Sequence, residues 1–590
     1  MRLTNKISIS CWRLRRSTKA RQFDCWFFIV DRMISLKRGG STGRPCSTIS
    51  MSHHRNNHRV RKRTASAPMQ ANIIHLIVCC VFIWSTIVWD SNILQLVESL
   101  LETFPGRRQR VSSLSSIGRK GTVLMEQENI DPGVTTIPGP WNATTFGATN
   151  CWGRRPLLIR NAFNDTTMLP KWDDILDLAS EAYAEENDAI VTSRIIQHIP
   201  GTLDTYRAEF GPFSSQRTYS LFGCRESNMD GDSASGDYVS SLIVNDVDRW
   251  LPEVSHWMDH NFGGALPRWR RDDAQVSIAP RRAGIGPHVD NYDVFLIQIQ
   301  GSRAWQVGPV NVSHYDEVEH LLVESSEVSI LNLTKTASTG DEQSVTLHVK
   351  EGDCLYLPPR AVHCGVSTSD DCVTLSVGCR SPSASELLAR VAEHVATSTL
   401  ESAVSRYKDV DLWSTSSLTG VLDEGIKSAM KDLLLQAVND VVNSDAVWDE
   451  MVGQIVTDSK RPVGDYPVPI REMSDDWKND LGIWADPVAT VDSILSGTGA
   501  LYRSEGVSFA TSTVGNSHRL FAQGRTYEIC SGGKGNSVAA PALLSRIANG
   551  PPLDLEALSN MNLMPLSNEV VSFLRELLAE GILYGWSDEP

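Results

Sequence analysis

Two runs of mostly apolar residues in the middle of the chain predict β-strands. The first, Tyr292 to Gln300, is rich in β-branched and aromatic residues, and Gly301 separates it from a second run, Arg303 to Val307. Apolar runs on either side of a glycine-containing turn are typical of a β-hairpin. Because successive strand residues point to opposite faces, Arg303 and Trp305 share one face of the second strand. The pattern therefore predicts a hairpin that carries an arginine on an otherwise apolar face.

Beyond Pro382 the apolar residues follow a helical spacing instead. Residues 385–405 and 422–442 have apolar positions three and four apart, which predicts amphipathic helices and a helical bundle. From about Ser517 short strand and helix patterns alternate, and the last of them ends near Leu583. The chain thus predicts a β-rich central part, a helical part and a mixed C-terminal part.

Polar residues with metal-ligand chemistry interrupt the β-rich part at two places. His288 and Asp290 lie two residues apart in an extended segment, so both side chains reach the same side. A strand from Cys354 to Leu357 is stopped by two prolines, and His363 follows just after this turn. Two imidazoles and one carboxylate form the facial triad of non-haem Fe(II) oxygenases, which leaves coordination positions open. These residues are candidate metal ligands and catalytic residues.

Arg303 permits two interpretations from its spacing alone. It is either an arginine at the sheet edge that reaches solvent, or a clamp for a dicarboxylate cosubstrate, to which the guanidinium offers a bidentate fork. Three other histidines near the motifs are not expected to be ligands: His314, His320 and His348.

These motifs resemble those of the JmjC-type, cupin-like 2-oxoglutarate oxygenases, and among them the ribosomal oxygenases, especially the bacterial ribosomal-protein arginine 3-hydroxylases. The matching stretches are Trp152 to Arg160, Phe210 to Phe213, Leu266 to Arg270, Gly286 to Gly308, Gly352 to Gly365 and Ser376 to Pro382. The resemblance implies Fe(II) bound by His288, Asp290 and His363, with O2 and 2-oxoglutarate as cosubstrates. It also implies that Arg303 and Ser277 contact the 2-oxoglutarate.

The resemblance further implies an α+β architecture of three domains. Residues 141–382 are expected to form a JmjC-type double-stranded β-helix (jelly-roll, cupin) domain, residues 383–510 a helical domain of the dimerisation type, and residues 511–590 a winged-helix-like domain. A homodimer is therefore expected, although simple packing of the helices against the barrel is the alternative. Residues 311–343 are longer than in the family, and we expect an exposed insertion with one helical turn near Glu317 to Leu322.

The expected activity is hydroxylation of an arginine or histidine side chain in a large-subunit ribosomal protein. Two alternatives remain open at this point. A JmjC lysine demethylase, acting on a histone tail or another protein, would use the same triad, whereas a catalytically silent cupin-like scaffold would use none of its chemistry.

The charge of the chain favours a basic protein partner over a nucleic acid. Residues 1–70 hold 16 Lys and Arg against 2 Asp and Glu, a net charge of +14. Because the whole chain has a net charge of −15, residues 71–590 carry −29. An acidic body attracts basic polypeptides and repels phosphates. Residues 511–590 have 5 basic and 8 acidic residues, so direct nucleic-acid binding is not expected from the winged-helix-like part.

The N-terminal part has a different composition. Residues 1–70 are basic and predicted to be disordered or a targeting region, residues 71–90 contain the apolar run 73–89, and residues 91–140 have the composition of a linker. A 17-residue apolar run after a basic stretch suits a signal peptide or a membrane anchor. Membrane association, import into an organelle such as a mitochondrion or plastid, and a gene-model extension all remain open.

Overall fold

The computed structural model describes residues 134–187, 191–223, 237–324, 329–332, 344–398, 401–408, 422, 424–458, 468–530 and 539–587. The predicted basic region, the apolar segment 71–90 and most of the linker 91–140 lie outside these residues. Within the described part of the chain, no helix is both long and apolar enough to cross a membrane.

The strands are β1 (Thr135–Pro138), β2 (Leu157–Arg160), β3 (Ser193–His198), β4 (Arg207–Phe210), β5 (Val239–Val244), β6 (Arg271–Ala279), β7 (Asp293–Gln300), β8 (Ser302–Val307), β9 (Leu321–Glu324), β10 (Ser329–Leu331), β11 (Val345–Lys350), β12 (Cys354–Leu357), β13 (His363–Ser367), β14 (Cys372–Cys379), β15 (Ala500–Arg503), β16 (Phe509–Val514), β17 (Ser517–Ala522), β18 (Arg525–Cys530) and β19 (Leu583–Trp586).

The α-helices are α1 (Ala143–Ala148), α2 (Trp172–Leu178), α3 (Glu181–Asn187), α4 (Ser215–Phe222), α5 (Val247–Trp250), α6 (Pro252–Phe262), α7 (His314–His320), α8 (Ala384–Thr397), α9 (Glu401–Val404), α10 (Glu424–Val442), α11 (Asp445–Thr457), α12 (Asp475–Leu481), α13 (Pro487–Leu495), α14 (Ala539–Asn549), α15 (Leu555–Asn560) and α16 (Asn568–Ala579). Short 3-10 helices cover Arg268–Arg270, Ile470–Glu472 and Gly482–Ala485.

Two sheets form the central part of the molecule. Among the described residues, the larger sheet has the strand order β1-β2-β12-β7-β14-β6-β5-β3-β4, and the smaller has the order β11-β8-β13. They face each other, because Leu296 and Leu355 of the larger sheet pack in one apolar cluster with Trp305 and Val349 of the smaller. This mixed α+β arrangement with two facing sheets is the cupin-type fold expected from the sequence.

The outer face of the larger sheet is covered by helices. Strand residues such as Val276, Phe295 and Leu375 join Trp172 of α2 and Phe262 of α6 in the largest apolar cluster of the described structure. Since side chains alternate along a strand, the residues between these point into the space between the two sheets. That inner face carries the candidate site.

The predicted hairpin between the runs 292–300 and 303–307 is wrong, although both strands exist. β7 pairs with β12 and β14 in the larger sheet, whereas β8 pairs with β11 and β13 in the smaller one. Gly301 adopts a φ of +65°, and the chain passes there from one sheet to the other. The alternation within β8 is as predicted, because Arg303, Trp305 and Val307 are all buried.

The insertion after β8 is more structured than an exposed loop with one helical turn. Ser313 accepts a hydrogen bond from the backbone N–H of Asp316 and so caps α7, which spans His314–His320 rather than the expected residues near 317–322. β9 and β10 then pair as an antiparallel ladder that buries Ile330. Residues 325–328 and 333–343 of this insertion lie outside the described residues.

The helices after Pro382 occur where the spacing predicts them. Val391 of α8, Val441 of α10 and Met451 of α11 share a small apolar core. Further along the chain, Leu501 and Phe509 pack with the α14 and α16 side chains in the C-terminal core, so this core begins before residue 511. The dimerisation and winged-helix-like labels of these parts, and the domain boundaries, stay predictions.

One carboxylate joins the cupin-type part to the C-terminal part. Asp259 of α6 accepts hydrogen bonds from three arginines, at 2.7 Å from Arg271, 3.1 Å from Arg268 and 2.8 Å from Arg503 of β15. Although burial opposes it, the three positive charges hold the pKa of this carboxyl well below its usual range. We call these four residues the Asp259 cluster.

Candidate active site

The three predicted metal ligands come together at one end of the two sheets. One potential ligand atom from each of His288, Asp290 and His363 lies within 4.8 Å of the others. The backbone brings the two halves together, because His288 and His363 exchange hydrogen bonds of 3.0 Å in each direction, N–H to carbonyl oxygen. An isolated antiparallel β-bridge thus pairs His288 with His363, although they lie 75 residues apart in the sequence.

Both histidines have one ring nitrogen engaged with the backbone. Nδ1 of His288 lies 2.9 Å from the carbonyl oxygen of Gly286, and Nδ1 of His363 lies 2.9 Å from that of Ala361. Because a carbonyl oxygen only accepts, each contact requires a proton on Nδ1 and leaves the lone pair of a neutral ring on Nε2. Nε2 of His363 lies 3.6 Å from Oδ2 of Asp290. This is the arrangement that metal-ligating histidines adopt.

The environment also keeps His363 neutral. The side chain is buried, and burial together with the neighbouring His288 lowers the pKa of His363 to about 4, against a smaller opposing effect of Asp290. A neutral imidazole is the form that binds a metal. The donor set of two nitrogens and one carboxylate oxygen suits Fe(II) with open coordination positions, so the residues present fit the metal that the resemblance implies.

Arg303 lies inside the barrel, so it is not an arginine at the sheet edge that reaches solvent. Its side chain is only 3% exposed, its Nε donates to Sγ of Cys372 at 3.4 Å, and its guanidinium lies 5.5 Å from the Trp305 ring centroid. Its Nη2 has no hydrogen-bond partner among the described residues. A buried guanidinium with a free N–H is expected to bind an anionic group, since leaving it unpaired is costly. The arginine therefore fits the carboxylate of 2-oxoglutarate.

Ser277 lies on the inner face of the larger sheet. Its neighbours Val276 and Ile278 belong to the helix-covered cluster, so Ser277 points to the other side. It pairs with Thr374, which pairs in turn with Gln298, and Thr374 donates a 3.0 Å hydrogen bond to that amide. Gln298 also contacts Sγ of Cys372, the partner of Arg303. A row of polar residues thus runs across the barrel interior from Ser277 toward Arg303.

The backbone of Arg360 contacts the triad. Its N–H donates a 2.7 Å hydrogen bond to the carbonyl oxygen of Asp290, and its Nη1 donates a 2.9 Å bond to the side chain of Asn291. The residue has a φ of +63° at the end of the proline turn. The two prolines before it indicate this turn in the sequence. The contacts of Arg360 with Asp290 and Asn291, in contrast, cannot be predicted from the local sequence.

The other histidines near the motifs do not contribute to the triad. His314 and His320 belong to α7 and His348 is exposed on β11, and the metal-ligand cluster of the described structure contains none of them. His256 and His260 are exposed on α6.

Comparisons with known proteins show what this chain is similar to. A sequence model for the JmjC domain matches residues 260–387, which include all three candidate ligands. A probable ribosomal oxygenase of Haemophilus influenzae is 28% identical over 320 residues, 52% of this chain and 67% of that protein. The ribosomal protein uL16 3-hydroxylase of Escherichia coli is 28% identical over 305 residues, 51% of this chain and 69% of that protein.

The fold is shared with a solved structure as well. The X-ray structure of E. coli ycfD superimposes with a TM-score of 0.53 at 22% identity, and the match covers 75% of this chain and 98% of that one. Sequence and fold together show that this chain is a JmjC-domain homologue of the ribosomal oxygenases.

Proposed function

We propose that this protein is an Fe(II)- and 2-oxoglutarate-dependent hydroxylase that acts on an arginine or histidine side chain of a large-subunit ribosomal protein. The observation that carries the proposal is the coincidence of the triad with a buried arginine that has a free N–H in the same barrel. Either feature alone has structural explanations, whereas together they provide for both the metal and its cosubstrate.

Each residue has a role that follows from its position. His288 and His363 offer Nε2 and Asp290 offers a carboxylate oxygen from one side, so the opposite side stays open for cosubstrate and oxygen. Arg303 holds the far carboxylate of 2-oxoglutarate, with Ser277 proposed as a further contact. The bound Fe(II) and 2-oxoglutarate supply the oxidising chemistry. The apolar residues around Trp305 keep bulk water away from it.

The substrate is proposed from charge and from the relatives. Residues 71–590 carry a charge of −29, which favours a basic polypeptide. The E. coli relative is named for hydroxylating ribosomal protein uL16, so uL16 is the first candidate.

The test uses the full chain with Fe(II), 2-oxoglutarate, O2 and purified uL16. We expect mass spectrometry to find one added oxygen on uL16, with fragmentation locating it on arginine or histidine, and equal amounts of succinate. His363→Ala should abolish both products, whereas the exposed His348→Ala should leave them unchanged. Loss of a methyl group from a methyl-lysine histone peptide, with uL16 unmodified, would favour the demethylase. No succinate under any condition would favour the silent scaffold.

The predicted homodimer is proposed to form through the helices after Pro382. Leu388 of α8 and Met430 and Leu434 of α10 are exposed apolar residues on this segment, which a second copy would cover. Sedimentation of the full chain should give a dimer, and Met430→Ser together with Leu434→Ser should shift it toward the monomer. A monomeric wild-type protein would contradict this proposal.

A further inference from the structure

An exposed apolar stripe lies on the insertion. Tyr315 and Val318 are 76% and 56% exposed, and their spacing of three puts them on one side of α7. No residue of α7 is buried. Glu319 is exposed beside them. We call these three residues the α7 surface.

Arg360 connects this helix directly to the metal-binding segment. Its guanidinium donates to the carbonyl oxygen of Val312 at 2.8 Å and forms a 2.5 Å ion pair with Glu317 of α7. The same guanidinium donates to the side chain of Asn291, and the backbone N–H of Arg360 donates to the carbonyl oxygen of Asp290. The α7 surface is therefore held at a fixed position next to the candidate active site.

The hairpin after α7 fastens the insertion at a second point. The N–H of Leu331 donates a 2.9 Å bond to the carbonyl oxygen of Pro287, which precedes the first candidate ligand. Ile330 is fully buried and packs so closely on Gly286 that a Cβ there would lie 2.4 Å from its Cδ1. Thus the insertion contacts the segment before His288 directly, and it contacts Asp290 through Arg360.

The charge of the insertion indicates what the α7 surface binds. Residues 311–324 contain four acidic residues and no lysine or arginine: Asp316, Glu317, Glu319 and Glu324. Among the described side chains of this segment, Glu317 pairs with Arg360, whereas Asp316 and Glu319 form no ion pair. An acidic rim around apolar side chains is complementary to a polypeptide that presents basic and apolar residues together.

We propose that the α7 surface is a docking site for the basic substrate protein, contacted by parts of that protein other than the residue that reacts. The proposal rests on the proposed function and adds the place where the substrate is recognised. Because Arg360 and the hairpin fix this surface relative to the triad, docking there restricts which side chain of the partner reaches the barrel. Docking should increase the affinity for an intact protein more than that for a short peptide.

The test compares intact uL16 with short peptides that tile its sequence. Tyr315→Ser combined with Val318→Ser removes the apolar part of the surface, and Glu319→Lys reverses its charge. Tyr219→Ser is the matched control, because Tyr219 is a 64% exposed tyrosine on another helix, α4. We expect KM for intact uL16 to rise about tenfold in the double variant and about threefold or more in Glu319→Lys. The KM for the reactive peptide and kcat should change less than about twofold, and the control should match the wild type.

A second readout separates this proposal from the proposed function. Direct binding of uL16 to the full chain, measured by calorimetry, does not depend on turnover. If wild-type protein binds uL16 and the double variant binds it about tenfold more weakly, docking holds even where uL16 is not hydroxylated. The proposal is overturned if wild type and double variant bind uL16 equally, if neither binds it, or if KM rises equally for intact protein and peptide. Succinate formed from 2-oxoglutarate without any protein substrate should be the same in all variants, which verifies that the barrel is intact.

Discussion

Replacing Arg303 by methionine should separate ligand binding from folding. Methionine keeps most of the length of the side chain but removes the buried charge and its unpaired Nη2. An unsatisfied buried donor costs about 1–3 kcal/mol, and the wild-type guanidinium recovers only part of this through Cys372 and Trp305. We therefore expect the free energy of unfolding of the ligand-free protein to stay unchanged or to increase by about 1 kcal/mol.

The same substitution should remove most of the affinity for 2-oxoglutarate. Two charge-assisted hydrogen bonds to a carboxylate contribute about 3–4 kcal/mol in total, which corresponds to a loss of about 10²- to 10³-fold in affinity. Urea unfolding with Co(II) in place of Fe(II) measures this without turnover. At 100 times the wild-type Kd, 2-oxoglutarate stabilises the wild type by about 2.7 kcal/mol, whereas the variant should gain less than about 0.5 kcal/mol.

The opposite outcome would refute the reasoning about Arg303. If Arg303→Met lowers the free energy of unfolding by more than about 2 kcal/mol and keeps the stabilisation by 2-oxoglutarate, the arginine is a structural residue of the barrel. Arg217→Met is a suitable control, because Arg217 forms an exposed ion pair with Glu209. That variant should behave as the wild type in both measurements.

Three further predictions test other parts of the structure. Burial lowers the pKa of His198 to about 4, below the ordinary value of 6.5, so the unfolded chain binds more protons between these values and stability falls as the pH drops through this window. In urea unfolding, the free energy of unfolding of the wild type should fall between pH 7 and pH 5, and His198→Phe should make this fall smaller by about 2 kcal/mol. If the fall is the same in the variant, His198 is charged in the folded protein. Asp259→Asn should cost about 3 kcal/mol in the same assay, because it leaves the arginines of the Asp259 cluster without their common carboxylate; a cost below about 1 kcal/mol would contradict this. Arg360→Ala should weaken Co(II) binding about tenfold in a titration, because Asn291 beside the candidate ligand Asp290 loses its donor, whereas Arg390→Ala on α8 should not weaken it.

Local sequence was sufficient to find the triad and the face of Arg303. The two-residue spacing of His288 and Asp290 and the alternation of β8 are properties of neighbouring residues, and the turn before His363 is marked by two prolines. The local sequence does not predict that the chain passes from one sheet to the other at Gly301. A glycine between two apolar runs has the same local pattern whether the strands pair with each other or enter different sheets, and the partners β12 and β13 lie more than fifty residues away.

The structure of the insertion also could not be predicted from its local sequence. Its composition is that of an exposed loop, yet it contains a capped helix and a paired hairpin. The contacts that hold these elements in place come from Arg360, Pro287 and Gly286. No local pattern in residues 311–332 predicts these contacts. Long-range contacts of this kind place the α7 surface beside the triad.

The unpaired groups inside the barrel argue against a silent scaffold. In the described structure, Nη2 of Arg303 and Nε1 of Trp305 are buried without hydrogen-bond partners, and His363 is buried beside a second imidazole with its pKa lowered to about 4. Each of these features costs stability in the ligand-free protein, and apolar residues at the same positions would avoid the cost. A chain that needed only the shape of the barrel would gain by losing them. Under the proposed function, a metal would bind the two imidazoles and a dicarboxylate would pair with the guanidinium, so the groups that cost stability in the ligand-free protein are the groups that would bind its ligands.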